Sequence, residues 1–184
     1  MGVIDTRSLD PLLLDRAARV RILALDVDGI LTDGQLYFDN SGNELKSFST
    51  RDGLGIRLLS LQGIETALIT ARTSEIVKAR AANLKIQHVY QGSINKLEAF
   101  HDLLATTGLA PEQVCYAGDD WLDLPILERV GLAVTVADGD QVVKGRVHWV
   151  TNRPGGRGAV REICDLILAA QGLDDAALRG VLEP

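Results

Sequence analysis

The sequence predicts an α/β protein of the doubly wound kind: a mainly parallel sheet, helices on both faces, and one projecting β-hairpin. Three observations lead there. Short apolar runs recur along the chain, each too brief for a helix. Helix-like patterns fall between them, and that alternation favours parallel strands joined by crossovers. The acidic residues of interest stand just after the apolar runs, where open α/β sheets bind ligands.

The runs come in order. Arg21 to Val27 is nearly all apolar and reads as a strand buried on both faces. Glu65 to Thr70, Ile86 to Tyr90, Val114 to Gly118 and Leu132 to Val136 follow, with Trp149-Val150 as a short sixth. Helical patterns cover Leu9 to Val20, Asp52 to Leu61, Ser74 to Asn83, Asn95 to Thr107, Leu122 to Val130 and Gly158 to Ala170. In the second of these, Leu54, Leu58 and Leu61 are expected to face inward. One segment breaks the alternation. Gln35 to Phe38 and Glu44 to Phe48 flank Asp39-Asn40-Ser41-Gly42-Asn43, which reads as a hairpin over residues 35–49.

With 184 residues and 46% hydrophobic side chains, the chain suits one domain with one filled core. Residues 1–20 are expected to be a helical head and residues 172–184 a flexible tail. The net charge of -6, without a basic run, argues against nucleic acid or an anionic membrane as partner. No apolar run is long enough to span a bilayer, and charges interrupt any leader-like core near the start. Cys115 and Cys164 form no metal-binding spacing and read as buried thiols in a reducing compartment. A cytoplasmic protein is expected.

The chemistry concentrates at the strand ends. Asp26 and Asp28 close the first strand, and their spacing of two puts both on one side. Thr70 closes the second. Gly118-Asp119-Asp120 closes the fourth, with Asp123 one turn on, and Lys96 opens the helix after the third. Singly, any of these Asp residues is better read as a helix cap or turn residue. Together they crowd carboxylates into one place, which raises their pKa values unless a cation intervenes. Hard oxygen ligands with room for water suit Mg²⁺.

Asp26-Val27-Asp28-Gly29-Ile30-Leu31-Thr32 resembles the DxDGxxT motif of the haloacid dehalogenase superfamily. Thr70, Lys96 and Gly118-Asp119-Asp120 with Asp123 resemble its second, third and fourth motifs. Further segments resemble one capless branch of that superfamily, phosphatases acting on 3-deoxy-D-manno-octulosonate 8-phosphate in lipopolysaccharide synthesis. They are Asp33-Gly34, Lys46-Ser47-Phe48, Arg51 to Ile56, Tyr90-Gln91-Gly92, Asn95-Lys96 and Gly155 to Glu162. One departure is Ala71, where relatives commonly carry Gly; an alanine there suits any backbone that does not need positive φ.

The resemblance implies an enzyme that hydrolyses a sugar-acid phosphate. It implies Asp26 as nucleophile, Asp28 as acid and base, and Thr70 and Lys96 on the phosphoryl group. It implies Mg²⁺ held by Asp26, the backbone carbonyl of Asp28, and Asp119, with Asp120 and Asp123 orienting a bound water or Lys96. Thr32, Arg51, Arg72 and Arg157 are the candidates for touching substrate, since guanidinium forks match carboxylate and phosphate. Each arginine reads equally well as a solvated surface charge.

The segments between motifs are too short for a cap domain. Relatives compensate as tetramers whose hairpins close over neighbouring sites, so a homotetramer through the hairpin is implied. Leu36, Tyr37, Phe38 and Phe48 fit that role, or would simply pack on their own domain. An acylneuraminate 9-phosphate phosphatase is the nearest competing enzyme. A phosphorylation-controlled receiver domain uses similar residues, but there the acidic pair precedes a lone nucleophile; here the pair holding Asp26 comes first. An interaction module that has lost its chemistry would lack Asp26, Asp28 or Lys96, and all three are present. His88, His101, His148, Trp121 and Trp149 read as structural.

Overall fold

The computed structural model describes residues 8–182. Part of the expected helical head therefore lies outside the described residues. The described part of that head is helix α1 (Pro11–Ala18), capped by the Asp10 carboxylate, which accepts from the Leu12 N–H at 2.9 Å.

Six strands build one parallel sheet: β1 (Ile22–Leu25), β4 (Glu65–Ile69), β5 (His88–Tyr90), β6 (Val114–Ala117), β7 (Leu132–Thr135) and β8 (Trp149–Val150). Their order is β5-β4-β1-β6-β7-β8. The chain thus winds outward from β1 through β4 to β5, then returns to β1's other side and winds the opposite way. That reversal makes the carboxyl ends of β1, β4 and β6 a topological switch point. Apolar layers lie on both faces. One gathers Leu23, Leu25, Ile56, Leu59, Val160 and Ile163. The other gathers Ile22, Ala24, Phe100, Leu103, Tyr116 and Ile126. Both faces of β1 are therefore buried, which is why its sequence is apolar without alternation.

Helices α2 (Thr50–Leu61), α3 (Glu75–Leu84), α4 (Lys96–Thr107), α5 (Leu124–Leu127), α6 (Gln141–Lys144) and α7 (Ala159–Ala170) supply the layers. A 3₁₀ turn, Trp121–Asp123, leads into α5, so the expected single helix over 122–130 is shorter and broken. In α2 the buried face runs through Ile56, Leu58 and Leu59, with Gly53 and Gly55. Leu54 and Leu61 are exposed, contrary to expectation. The two glycines explain the rotation: Gly55 faces Cys164 of α7 and Gly53 faces Arg80 of α3, so close helix contact decides the face rather than leucine spacing.

Strands β2 (Tyr37–Phe38) and β3 (Glu44–Leu45) form the antiparallel hairpin as a separate sheet, shorter than the sequence suggests. Asp39 fixes its turn by accepting from the N–H groups of Ser41 and Asn43, each at 2.8 Å. Of the expected flexible tail, residues 183–184 lie outside the described residues. Residues Asp174–Leu182 form helix α8, which rests on α2 and α7 through buried Ala177. Among the described residues no helix is long and apolar enough to cross a membrane.

Candidate active site

Asp26 stands one residue past β1, its N–H held by the Ala117 carbonyl of β6 at 2.9 Å. Its carboxylate is buried. Oδ1 accepts from Lys96 Nζ at 2.7 Å, and the same ammonium donates to Asp123 Oδ1 at 2.7 Å. Asp123 is engaged on every side. Its Oδ1 also accepts from the Tyr116 hydroxyl at 2.6 Å, and its Oδ2 from the N–H groups of Asp119 and Asp120 at 3.0 and 3.2 Å. Asp123 therefore orients Lys96 and shapes the loop after β6. Asp120 is exposed and caps the following turn at the Trp121 N–H, away from Lys96.

Asp119 completes the group. Ligand oxygens of Asp26, Asp119 and Asp123 all lie within 4.8 Å of one another. Asp119 Oδ1 is buried with no hydrogen-bond partner among the described residues. Burial, then the neighbouring Asp26 and Asp123, pushes Asp119 up to about 7. Burial likewise pushes Asp26 up to about 7, opposed by Lys96 and reinforced by Asp123. Burial alone would lower Lys96, but Asp26 and Asp123 outweigh it and hold the ammonium above its usual range. Two carboxylates thus share one ammonium, and the third, Asp119, makes no pair with it. The orphaned Asp119 oxygen beside Asp26 marks where a divalent cation belongs, and the donors, all oxygens, fit Mg²⁺. With Asp123 saturated, Asp26 and Asp119 are the carboxylates free to hold it.

Gly29 makes this closeness possible. It sits at φ +96°, and a Cβ there would lie 2.1 Å from Asp119 Oδ2. The loop is closed from inside by Thr32, whose hydroxyl accepts from the Gly29 and Gly34 N–H groups at 3.4 and 3.3 Å and reaches the Val27 carbonyl at 3.4 Å. All its contacts are backbone, so the expectation that Thr32 touches substrate finds no support in its placement. Gly155 presses on the same loop from outside; a Cβ there would stand 1.8 Å from the Gly29 carbonyl oxygen.

Thr70 is buried at the end of β4, its Oγ1 accepting from the Arg72 N–H at 3.3 Å. Ala71 has no positive φ, so its departure from glycine carries no strain. The arginines separate. Arg72 donates to Glu44 of the hairpin at 2.6 Å. Arg157 lies exposed beside Asp33 at the hairpin's root; the Tyr37 hydroxyl, with Arg157 adding to it, holds Asp33 below the usual carboxylate range. Arg51 is exposed on the first turn of α2.

Asp28 does not join the carboxylate cluster; its Oδ1 accepts from Lys46, which follows β3. Asp52 is buried and accepts from the Gly158 and Arg161 N–H groups at 3.2 and 2.8 Å, tying α2 to the loop that carries Gly155 and Arg157. Lys46 and Asp52 both lie in segments that carry the resemblance to the capless branch, but only their partners in space reveal what they do. Trp121 is exposed, its indole N–H held by Asp140 at 2.9 Å, and so does not pack in a core as expected. Trp149 does pack against the larger apolar layer.

A model of haloacid dehalogenase-like hydrolases matches residues 61–163. The 3-deoxy-D-manno-octulosonate 8-phosphate phosphatase of Salmonella typhimurium is 52% identical over 169 residues, covering 91% of this chain and 90% of the relative. The chain belongs to the haloacid dehalogenase-like hydrolases. Solved structures of the family agree. The phosphatase of that name from Yersinia pestis superposes with a TM-score of 0.91 at 48% identity, covering 94% of each chain. The Moraxella catarrhalis phosphatase, solved in complex with magnesium ion, phosphate ion and KDO, gives 0.89 at 38% identity, covering 92% of this chain and 97% of that one.

Proposed function

We propose that this protein is a Mg²⁺-dependent phosphatase that hydrolyses 3-deoxy-D-manno-octulosonate 8-phosphate to the free sugar acid and phosphate, a step of lipopolysaccharide synthesis. One observation carries the reading: the buried Asp26 carboxylate meets the unpartnered Asp119 oxygen at the sheet's switch point, with Lys96 fixed against Asp26. The Moraxella catarrhalis relative, solved with magnesium, phosphate and KDO, supports the same ligand classes here.

Asp26 attacks phosphorus with a carboxylate oxygen, and the bond from phosphorus to the sugar oxygen breaks. Asp28 gives its proton to that oxygen, so the sugar leaves as an alcohol. Asp28 then takes a proton from water as the water attacks the aspartyl phosphate, releasing inorganic phosphate and restoring Asp26. Lys96 and Thr70 stabilise charge on the transferring oxygens. Mg²⁺, held by Asp26, Asp119 and the Asp28 carbonyl, would supply the positive charge that lets an anionic ester approach three carboxylates.

Around the reaction, Arg72 and Arg51 recognise the sugar carboxylate, while Arg157 stands at the hairpin's root. We place the whole chain in one domain. Exposed Leu36, Tyr37, Phe38 and Leu45 on the hairpin support a homotetramer assembled through that ribbon; Phe48 instead packs on its own core. Two free, buried cysteines fit a cytoplasmic enzyme.

The test is phosphate release over a panel of sugar phosphates that includes the octulosonate and acylneuraminate esters, with and without Mg²⁺. The octulosonate ester is expected to have the highest kcat/KM, and Asp26→Asn to abolish turnover of every ester. Turnover by Asp26→Asn at the parent rate would end the proposal. Light scattering at working concentration is expected to give the tetramer mass.

A further inference from the structure

A lysine in a hairpin normally extends its ammonium to water. Lys46 does the opposite. It follows β3, yet its side chain is 1% exposed and turns back toward the sheet. Its ammonium pairs with Asp28 Oδ1 and lies 3.4 Å from Glu44 Oε1, and Glu44 in turn accepts from Arg72. A chain of alternating charges, Asp28–Lys46–Glu44–Arg72, therefore links the nucleophile loop, the hairpin and the loop after β4. Burying an ammonium is costly unless anions meet it, so the position of Lys46 is dictated by these two carboxylates.

Asp28 needs that partner. Lys46 is the sole hydrogen-bond partner of its carboxylate among the described residues, and Oδ2 makes no hydrogen bond there. The nucleophile and the neighbouring Asp28 thus have separate lysines on separate elements: Lys96 of α4 holds Asp26, and Lys46 of the hairpin holds Asp28.

We infer that Lys46 is a positioning residue that aims the Asp28 carboxylate at the leaving-group oxygen, making the hairpin part of the proton-transfer apparatus. The inference rests on the role proposed above for Asp28. A carboxyl group transfers a proton only within hydrogen-bond reach, so an Asp28 released from Lys46 would sample other rotamers and lose that geometry.

The consequence depends on the ester. An alkoxide leaving group needs its proton, whereas p-nitrophenolate leaves without one. The experiment compares kcat/KM for three esters in Lys46→Met, Lys46→Arg and Asp28→Asn: the octulosonate phosphate, a simple alkyl phosphate lacking a carboxylate, and p-nitrophenyl phosphate. Lys46→Met is expected to lose about 100-fold on both alkyl esters and less than about 5-fold on the aryl ester, within the range of general acid catalysis. Lys46→Arg, which keeps a cation for Asp28, is expected to recover to within about 10-fold of the parent. The double variant with Asp28→Asn is expected to be no worse than Asp28→Asn alone, because both act through one group.

Equal losses on all three esters, or no loss, would overturn the inference. So would a loss confined to the octulosonate ester, which would make Lys46 a contact for the substrate carboxylate. If Asp28→Asn itself shows no dependence on leaving group, the role of Asp28 fails. If Asp28→Asn shows it and Lys46→Met does not, the inference about Lys46 fails alone. Should Lys46→Met not fold, as judged by its circular-dichroism melt, Lys46→Gln carries the same comparison.

Discussion

The ammonium of Lys96 lies 2.7 Å from the carboxylate of Asp26, and both groups are almost wholly withdrawn from water. The same ammonium is shared with Asp123, so one cation offsets two buried anions. Replacing Lys96 by Met leaves those anions uncompensated. Breaking such a buried pair costs about 3–5 kcal/mol. Thermal melting of the metal-free variant is expected to fall by about 10 °C, on the scaling for a chain of this size. Phosphate release is expected to fall by at least about 100-fold on every ester, because the charge serves the transferring group rather than the sugar.

Metal and pH act together. Asp26 and Asp119 are each raised from 3.8 to about 7 without metal. Between those values the folded protein holds protons that the unfolded chain has released, so stability falls as pH rises through that window. The metal-free protein is expected to melt higher at pH 5 than at pH 8. Mg²⁺ needs the deprotonated carboxylates and reverses the trend. At about 100 times its dissociation constant, the ion adds about 2.7 kcal/mol, or about 5–10 °C, at pH 8. The gain at pH 5 is expected to be much smaller. Differential scanning calorimetry at both pH values, with and without Mg²⁺, checks this.

Gly155 tests the fit between its own loop and the loop that follows Asp26. An alanine there would drive its methyl group into the Gly29 carbonyl, which is backbone and cannot swing aside. Gly155→Ala is expected to destabilise by about 1–3 kcal/mol, as for other overpacked sites. It should also lower kcat for p-nitrophenyl phosphate, whose reaction needs no sugar contact. A variant with parent stability and kcat would show that the loop yields.

The arginines are tested by substrate. Arg72→Ala and Arg51→Ala are each expected to raise KM for the octulosonate ester by about 10-fold or more, the loss of a charge-assisted contact. KM for p-nitrophenyl phosphate should stay within about 2-fold, since that ester has no carboxylate to lose. Equal changes on both esters would remove the arginine from sugar recognition.

The sheet was readable because β1, β6 and β7 are buried along their whole length and β4 from Thr66 onward, which leaves short, mostly apolar runs. Asp26, Thr70, Lys96 and Asp119 were readable because each stands within two residues of a strand's end or opens the next helix. Other features answer to neighbours in space. The inward face of α2 is set by Gly53 and Gly55 meeting α3 and α7. The Lys46 partnership joins a hairpin to a loop in a way no local spacing announces. Thr32 lies within a motif that suggests ligand contact, but its hydroxyl is short enough to satisfy the loop's own N–H groups first. Helix α8 is built of acidic and small residues that resemble a tail, and only the buried Ala177 against α2 and α7 marks it as packed.

The carboxylate of Asp52 binds the start of α7, and the glycines just before that helix brace the loop holding Asp26. Asp26 leaves the ribosome long before its brace does. A nascent chain that has not yet exposed Arg161 carries every acid of the site and lacks the support that sets them in place, so hydrolytic competence should arise abruptly once Arg161 has emerged.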